Sequence, residues 1–235
     1  MAYAYKIIYD IKRDAWNWYD ASQHDFSGFS WRDNLSDVAD IKLFDEIVKL
    51  DEAEALIVLK DKIEESNLIR SEIWDRYLKY INSSFKDRFN DACVAIEKLT
   101  DRELFINEFN FILTTFPRCP YDEVTGEIFF YVTIKNNWVG VIDNFMHEVL
   151  HFQFINYWKN NPNSPVSKLT EDEFDFLKES LTVILDDSLI PLIEKPDYGY
   201  DIHKKFREIL HNNWLTHHDF DKLVNFGLNE LNNYI

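Results

Sequence analysis

The chain of 235 residues contains only two cysteines, Cys93 and Cys119, and only five glycines. Two cysteines allow one disulfide at most, which excludes the class of small secreted domains that several disulfides hold together. All six prolines lie at Pro117 or later, so the first hundred residues contain few residues that interrupt helices. No apolar run approaches the length of about 20 residues that a membrane-spanning helix needs.

Positive charge is also scarce, since 25 lysines and arginines stand against 42 aspartates and glutamates, for a formal net charge of −17. This excess of negative charge repels phosphate backbones and anionic membrane surfaces, so we expect neither nucleic acid nor a membrane as a partner. Charges also interrupt the apolar residues between Met1 and Asp14, which is not typical of a signal peptide. Apolar residues still make up 46% of the chain, enough for a globular core. We therefore expect a soluble, cytoplasmic protein.

The pattern of apolar residues predicts a mostly helical α+β protein with a small β-sheet. Helical periodicity dominates residues 1–102, which we expect to form a helical N-terminal region. Two segments rich in aromatic and β-branched residues, 105–114 and Glu127–Ile134, predict a β-hairpin or two neighbouring strands. Residues 103–235 would form the second region, with four further helices at about 143–160, 170–187, 200–213 and 217–232.

The helix predicted at 143–160 contains the motif His-Glu-x-x-His, formed by His147, Glu148 and His151. Residues four apart lie on one face of a helix, so both imidazoles can reach a single ion. Glu148 is rotated by about 100° from His147 and can take a proton from a water molecule beside that ion. The surrounding residues are apolar, and polar groups inside an apolar helix are costly unless they are paired or bound. The motif therefore predicts a catalytic zinc site suited to hydrolysis of a peptide bond.

We expect the third metal ligand on the next helix. The segment 160–167 has the composition of a loop, and Thr170 begins a capping box that opens a helix. If the two helices pack as an antiparallel hairpin, Glu179 comes level with His151. Three other carboxylates are less well placed: Asp175, Asp186 and Asp187. Of these, Asp186 is a candidate hydrogen-bond partner for a histidine ligand.

In these motifs the chain resembles the zincin metallopeptidases, and among them the gluzincins, which combine two histidines with a downstream glutamate. The similarity covers about residues 104–187, and Glu179 begins a Glu-Ser-Leu-Thr segment similar to the second motif of that family. The resemblance implies a zincin-like catalytic region with an active-site helix. It implies that His147, His151 and Glu179 bind zinc, that Glu148 is the general base, and that the substrate is a peptide or protein.

The resemblance has two further implications. In the family a strand bordering the cleft precedes the active-site helix, and Glu127–Ile134 occupies that place in the chain; we expect an extended substrate to pair with its free edge. A downstream tyrosine or histidine often donates a hydrogen bond to the oxyanion of the tetrahedral intermediate. Six residues are candidates by position: Tyr198, Tyr200, His203, His211, His217 and His218.

The sequence is also compatible with two other functions. Glu148 and His151 also form half of a di-iron carboxylate motif, and Glu208 with His211 forms a second such pair, with Glu179 between them. We expect the second pair to be solvated, because its helix face also carries three basic residues: Lys204, Lys205 and Arg207. The remaining possibility is a catalytically silent binding protein with the zincin fold.

Overall fold

The computed structural model describes residues 3–24, 30–35, 37–66, 72–132 and 140–235. In this part of the chain the protein is mostly helical with a small mixed sheet, which confirms the predicted α+β class. Two compact units are present. The sheet unit consists of Tyr5–Asn82 and Glu108–Trp138, and the helical unit of Met1–Ala4, Ser83–Asn107 and Val139–Ile235. Both units therefore combine residues from either side of position 102, where the sequence predicts a boundary.

The sheet has four strands in the order β1-β2-β4-β3. Their bounds are Ala4–Ile8 for β1, Glu108–Thr114 for β2, Tyr121–Asp122 for β3 and Glu127–Tyr131 for β4. Strands β2 and β4 pair in parallel. The prediction of two neighbouring strands is thus confirmed, whereas the β-hairpin alternative is wrong, because a hairpin joins antiparallel strands.

Strand β4 does not have the free edge that the sequence analysis expects at its start. Strand β3 pairs antiparallel with its first residues, Glu127 and Ile128, while β2 lies on the other side. At this end of β4 there is consequently no free edge for an extended substrate. Residues 133–134 of the predicted strand lie outside the described residues.

The described residues of the sheet unit also form five helices: α1 (Ile11–Gln23), α2 (Trp31–Asn34), α3 (Val38–Ile47), α4 (Glu52–Glu65) and α5 (Glu72–Tyr80). Helix α1 packs against α4 and β2, because its buried face carries Ala15, Trp18 and Ala21. Three polar side chains of α1 are buried as well: Asn17 donates to Thr114 Oγ1, Asp14 accepts from the same hydroxyl, and Ser22 donates to the carbonyl of Tyr19. Strand β1 adds an extended segment to a region that the sequence predicts as helical.

The helical unit contains five helices in its described residues: α6 (Lys86–Thr100), α7 (Val141–Phe154), α8 (Glu171–Leu181), α9 (Lys204–His217) and α10 (Phe220–Glu230). The four predicted helices are thereby confirmed, with different ends. Helix α7 continues as a π-helical turn over Ile155–Lys159, and α8 ends in a 3₁₀ turn over Thr182–Ile184. Among the described helices, none has both the length and the apolar character that crossing a membrane requires.

Helices α7 and α8 run antiparallel, as the hairpin prediction requires. Phe154 near the end of α7 stacks on Phe174 near the start of α8, with ring centroids 5.6 Å apart. The loop between the helices contains a short 3₁₀ helix, Pro165–Lys168, and the predicted capping box at Thr170 is present. Glu173 completes that box by accepting from the Thr170 backbone N–H. The fixed start of α8 sets which of its residues face α7.

Candidate metal centre

Helix α7 carries His147, Glu148 and His151 inside the helical unit. Most residues of this helix are buried; His151 and Glu148 are among them, and the His147 side chain is 20% exposed. The ring centroids are 4.3 Å apart, as expected for residues one helical turn apart on one face. One ligand atom from each of the three residues lies within 4.8 Å of the others.

Glu179 on α8 completes the arrangement that the helix hairpin predicts. Its Oε2 lies 3.5 Å from Nε2 of His147, and its Oε1 lies 3.8 Å from Nε2 of His151. Ligands at zinc distances of about 2.0–2.1 Å in tetrahedral geometry stand about 3.3 Å from one another. The two separations between Glu179 and the histidines are close to that value, which is compatible with a zinc ion bound by the carboxylate and both imidazoles.

The opposite nitrogen of His147 is held by Asp197, whose Oδ2 lies 2.6 Å from Nδ1. A carboxylate on Nδ1 fixes the ring and directs Nε2 toward a metal, and such partners strengthen metal binding. The sequence analysis missed this residue. Asp197 is 50 positions away from His147 and lies between Pro196 and Tyr198, where no spacing or motif connects it with the helix.

Arg207 on α9 connects the Asp197 segment with the end of α8. One guanidinium nitrogen donates to the backbone carbonyl of Glu179 at 2.8 Å and to Thr182 Oγ1 at 2.6 Å. The other donates to Oδ1 of Asp197 at 3.0 Å. Gly199 allows this close packing, since a Cβ there would lie 2.7 Å from the guanidinium carbon, and its φ of 62° also favours glycine. Arg207 thus differs from Lys204 and Lys205 of the same helix, which are exposed, because its own side chain is only 5% exposed.

The charges of this network follow from its contacts. Burial opposes a charge on the His147 ring, but the carboxylates of Asp197, Glu179 and Glu148 together outweigh burial, and the pKa of His147 is raised well above its usual value. Burial lowers the pKa of His151, which favours its neutral form. Burial alone would raise the pKa values of Glu179 and Asp197, but the neighbouring histidines lower both. Nε2 of His147 must therefore give up a proton before it can bind a metal.

Glu148 lies beside His151 on the same helix. Its Oε2 is 3.4 Å from Nδ1 of His151, and only 9% of its side chain is exposed. One carboxylate oxygen lies within 4.8 Å of a ring nitrogen of each histidine, so Glu148 is close to both. In this position it can also accept a hydrogen bond from Nδ1 and orient the His151 ring.

The other carboxylates considered as ligands lie elsewhere. Asp186 contacts His211, with 3.0 Å between Oδ2 and Nε2, instead of a histidine of α7. Asp187 is exposed in a 3₁₀ turn, and Asp175 accepts a hydrogen bond from Lys178. Glu208, proposed with His211 as half of a di-iron site, is exposed. The described structure therefore does not bring this second pair to Glu148 and His151.

Of the six candidate oxyanion donors, Tyr200 and His203 share the surroundings of Glu179. Tyr200 is 47% exposed, but partial burial of its hydroxyl and the charges of Glu179, Glu148 and Asp197 raise its pKa to about 12. His203 is buried, with its ring 5.8 Å from that of Tyr200. Three others are exposed, namely Tyr198, His217 and His218, and His211 pairs with Asp186.

The chain has no match among known proteins in three comparisons: no family model, no curated protein and no solved structure is similar to it. The geometry of the helical unit is therefore the basis for assigning a function. His147, Glu148 and His151 lie close enough together to hold a metal ion, and the Glu179 carboxylate beside the two Nε2 atoms is a further group of the kind that binds one. A carboxylate next to these groups, that of Glu148, can accept or donate a proton.

Proposed function

We propose that the protein is a zinc-dependent metallopeptidase that hydrolyses peptide bonds. One observation carries the proposal: the Nε2 atoms of His147 and His151 and the carboxylate of Glu179 face one another inside the helical unit. Two imidazoles and one carboxylate are a ligand set of catalytic zinc sites that leave a fourth position open. When bound, zinc supplies a Lewis acid for the substrate carbonyl and lowers the pKa of a water molecule to about 7.

The protein residues around these ligands have separate tasks in the proposed reaction. Asp197 accepts a hydrogen bond from Nδ1–H of His147 and keeps Nε2 directed toward the ion. Glu148 takes a proton from the attacking water and passes it to the leaving amine nitrogen. Burial of both carboxylates limits their contact with solvent, which strengthens their interactions with charged groups.

The Glu148→Gln variant tests this assignment. The amide keeps the size of the side chain but cannot act as a base, so we expect zinc binding near one ion per chain and hydrolysis at least about 100-fold slower. Elemental analysis measures the zinc, and mass spectrometry of a peptide-library digest measures cleavage. Glu171→Gln, on the exposed start of α8, is the matched control and should cleave at the wild-type rate. If Glu148→Gln cleaved peptides at the wild-type rate, Glu148 would be excluded as the base.

A catalytically silent metal-binding protein is the second candidate, and the contact between Glu148 and His151 favours it. The Glu148 carboxylate lies 3.4 Å from Nδ1 of His151, and only 9% of the side chain is exposed. Such a carboxylate can orient the ring without taking part in catalysis. The zinc analysis and the peptide-library digest also distinguish these two functions. Wild-type protein that binds zinc but cleaves no library peptide would support the silent protein, whereas two bound irons per chain would support the di-iron alternative.

A further inference from the structure

Lys178 places a positive charge next to Glu179 inside the helical unit. Its side chain is only 7% exposed, and its Nζ lies 3.4 Å from Oε1 of Glu179. The same ammonium donates to Oδ1 of Asp175 at 3.0 Å, one turn earlier on α8. It also lies 5.9 Å from the centre of the Phe174 ring. Lys178 is therefore packed in place beside the candidate metal ligand.

Such an ammonium has a direct effect on the Glu179 carboxylate. A buried carboxylate is costly unless positive groups surround it, and removal of one partner of a buried pair leaves the other uncompensated. His147 contacts Oε2 of Glu179, whereas Oε1 lies 3.4 Å from Nζ of Lys178 and 3.8 Å from Nε2 of His151. Lys178 thus supplies part of the positive charge that a metal ion would bring.

We infer that Lys178 is a positioning residue that holds Glu179 in the metal-free protein and competes with the metal ion for that carboxylate. This inference rests on the proposed function, because it assumes that Glu179 is a metal ligand. An ammonium and a divalent cation beside one carboxylate repel each other, and their repulsion is strong where little water screens it. Lys178 therefore sets how tightly the site binds metal. Asp175 offers the ammonium a second acceptor when Glu179 turns to the metal.

The Lys178→Met variant separates the two effects of the charge. Removing the ammonium should strengthen Zn²⁺ binding by about tenfold or more, because the repulsion is lost. It should also lower the unfolding temperature measured in a chelator, because Glu179 loses a buried partner. Competition titration of the full chain with a chromophoric chelator gives the Zn²⁺ affinity, and thermal denaturation gives the stability. A general packing defect would weaken both properties, so their opposite directions identify competition.

Two further variants control the comparison. Lys178→Arg keeps the positive charge and should bind Zn²⁺ within about threefold of the wild type. Lys205→Met removes an exposed lysine of α9 and should change neither property. Should Lys178→Met be too unstable to titrate, Lys178→Gln removes the charge and keeps a hydrogen-bond donor. Unchanged or weaker Zn²⁺ binding by the neutral variants would overturn the inference alone, whereas absence of Zn²⁺ binding from all variants would overturn the proposed function with it.

Discussion

Each nitrogen of the His147 ring faces a different carboxylate. Nδ1 lies against Asp197 and Nε2 points to Glu179, so the ring is fixed from both sides. The raised pKa of His147 follows from these two negative neighbours, although burial of the ring works against a charge. The same contacts favour a ring orientation in which Nε2 is the metal ligand.

The Asp197→Asn variant tests the support of His147 at the scale of one side chain. The amide no longer carries the charge that fixes the Nδ1 proton, so we expect zinc affinity to fall by about 10- to 100-fold. Chelator competition measures the affinity. Asp186→Asn is the matched control, because it removes a carboxylate that contacts a different histidine, His211. If both variants lost the same amount of zinc affinity, Asp197 would have no specific role.

At the scale of secondary structure, α8 connects its capping box with Glu179, the proposed ligand, near its other end. Thr170 fixes the first turn, and Arg207 fixes the last turn through the carbonyl of Glu179. The position of Glu179 thus depends on two contacts, the capping box at Thr170 and the hydrogen bond from Arg207. The cap is local in sequence, whereas the arginine comes from α9.

The Thr170→Ala variant removes the cap and leaves the second anchor. We expect a loss of about 1 kcal/mol in the free energy of unfolding, the usual cost of a missing N-cap. Zinc affinity should change by less than about threefold, because Arg207 still holds the end of α8. Denaturation in urea and a chelator titration measure the two quantities. Thr216→Ala, an exposed threonine within α9, should alter stability by less than about 0.5 kcal/mol. A large fall in zinc affinity for Thr170→Ala would contradict the anchoring by Arg207.

At the scale of the whole molecule, stability depends on buried charge as well as on apolar packing. Asp14 of the sheet unit is fully buried, and burial raises its pKa from 3.8 to about 6. Hydrogen bonds from Thr115, Thr114 and Tyr9 oppose this rise without cancelling it. Because the folded protein prefers the protonated form, Asp14 favours folding at low pH, and this contribution is lost as the pH rises through about 6.

The Asp14→Asn variant tests this pH dependence. The stability advantage of the wild type over the variant should shrink between about pH 4 and pH 7, by up to about 3 kcal/mol. Urea denaturation of both proteins at the two pH values measures the difference, and contributions from all other groups cancel. Asp61→Asn, an exposed carboxylate on α4, should show no comparable change. A constant difference across this range would mean that Asp14 is ionised in the folded protein throughout.

Local patterns were sufficient for the helices that carry the candidate site. The spacing of His147 and His151 and the capping box at Thr170 depend on residues within one or two turns, so the sequence alone predicts them. The position of Glu179 beside His151 is also predictable, because a short loop makes the two helices antiparallel neighbours. The sequence also indicated two adjacent strands, but not that they are parallel, because the alternation of side chains is similar in both arrangements.

The residues around the ligands depend on tertiary structure alone. Asp197 reaches His147 across 50 positions, and Arg207 reaches the carbonyl of Glu179 across 28. Arg207 follows a run of basic residues that is typical of a solvated face, and only packing against α8 and the Asp197 segment buries it. The sequence by itself thus determined the paired imidazoles, the adjacent carboxylate and the helix hairpin. Tertiary packing decided which charges stabilise them, because contacts between remote segments form only when whole helices dock together.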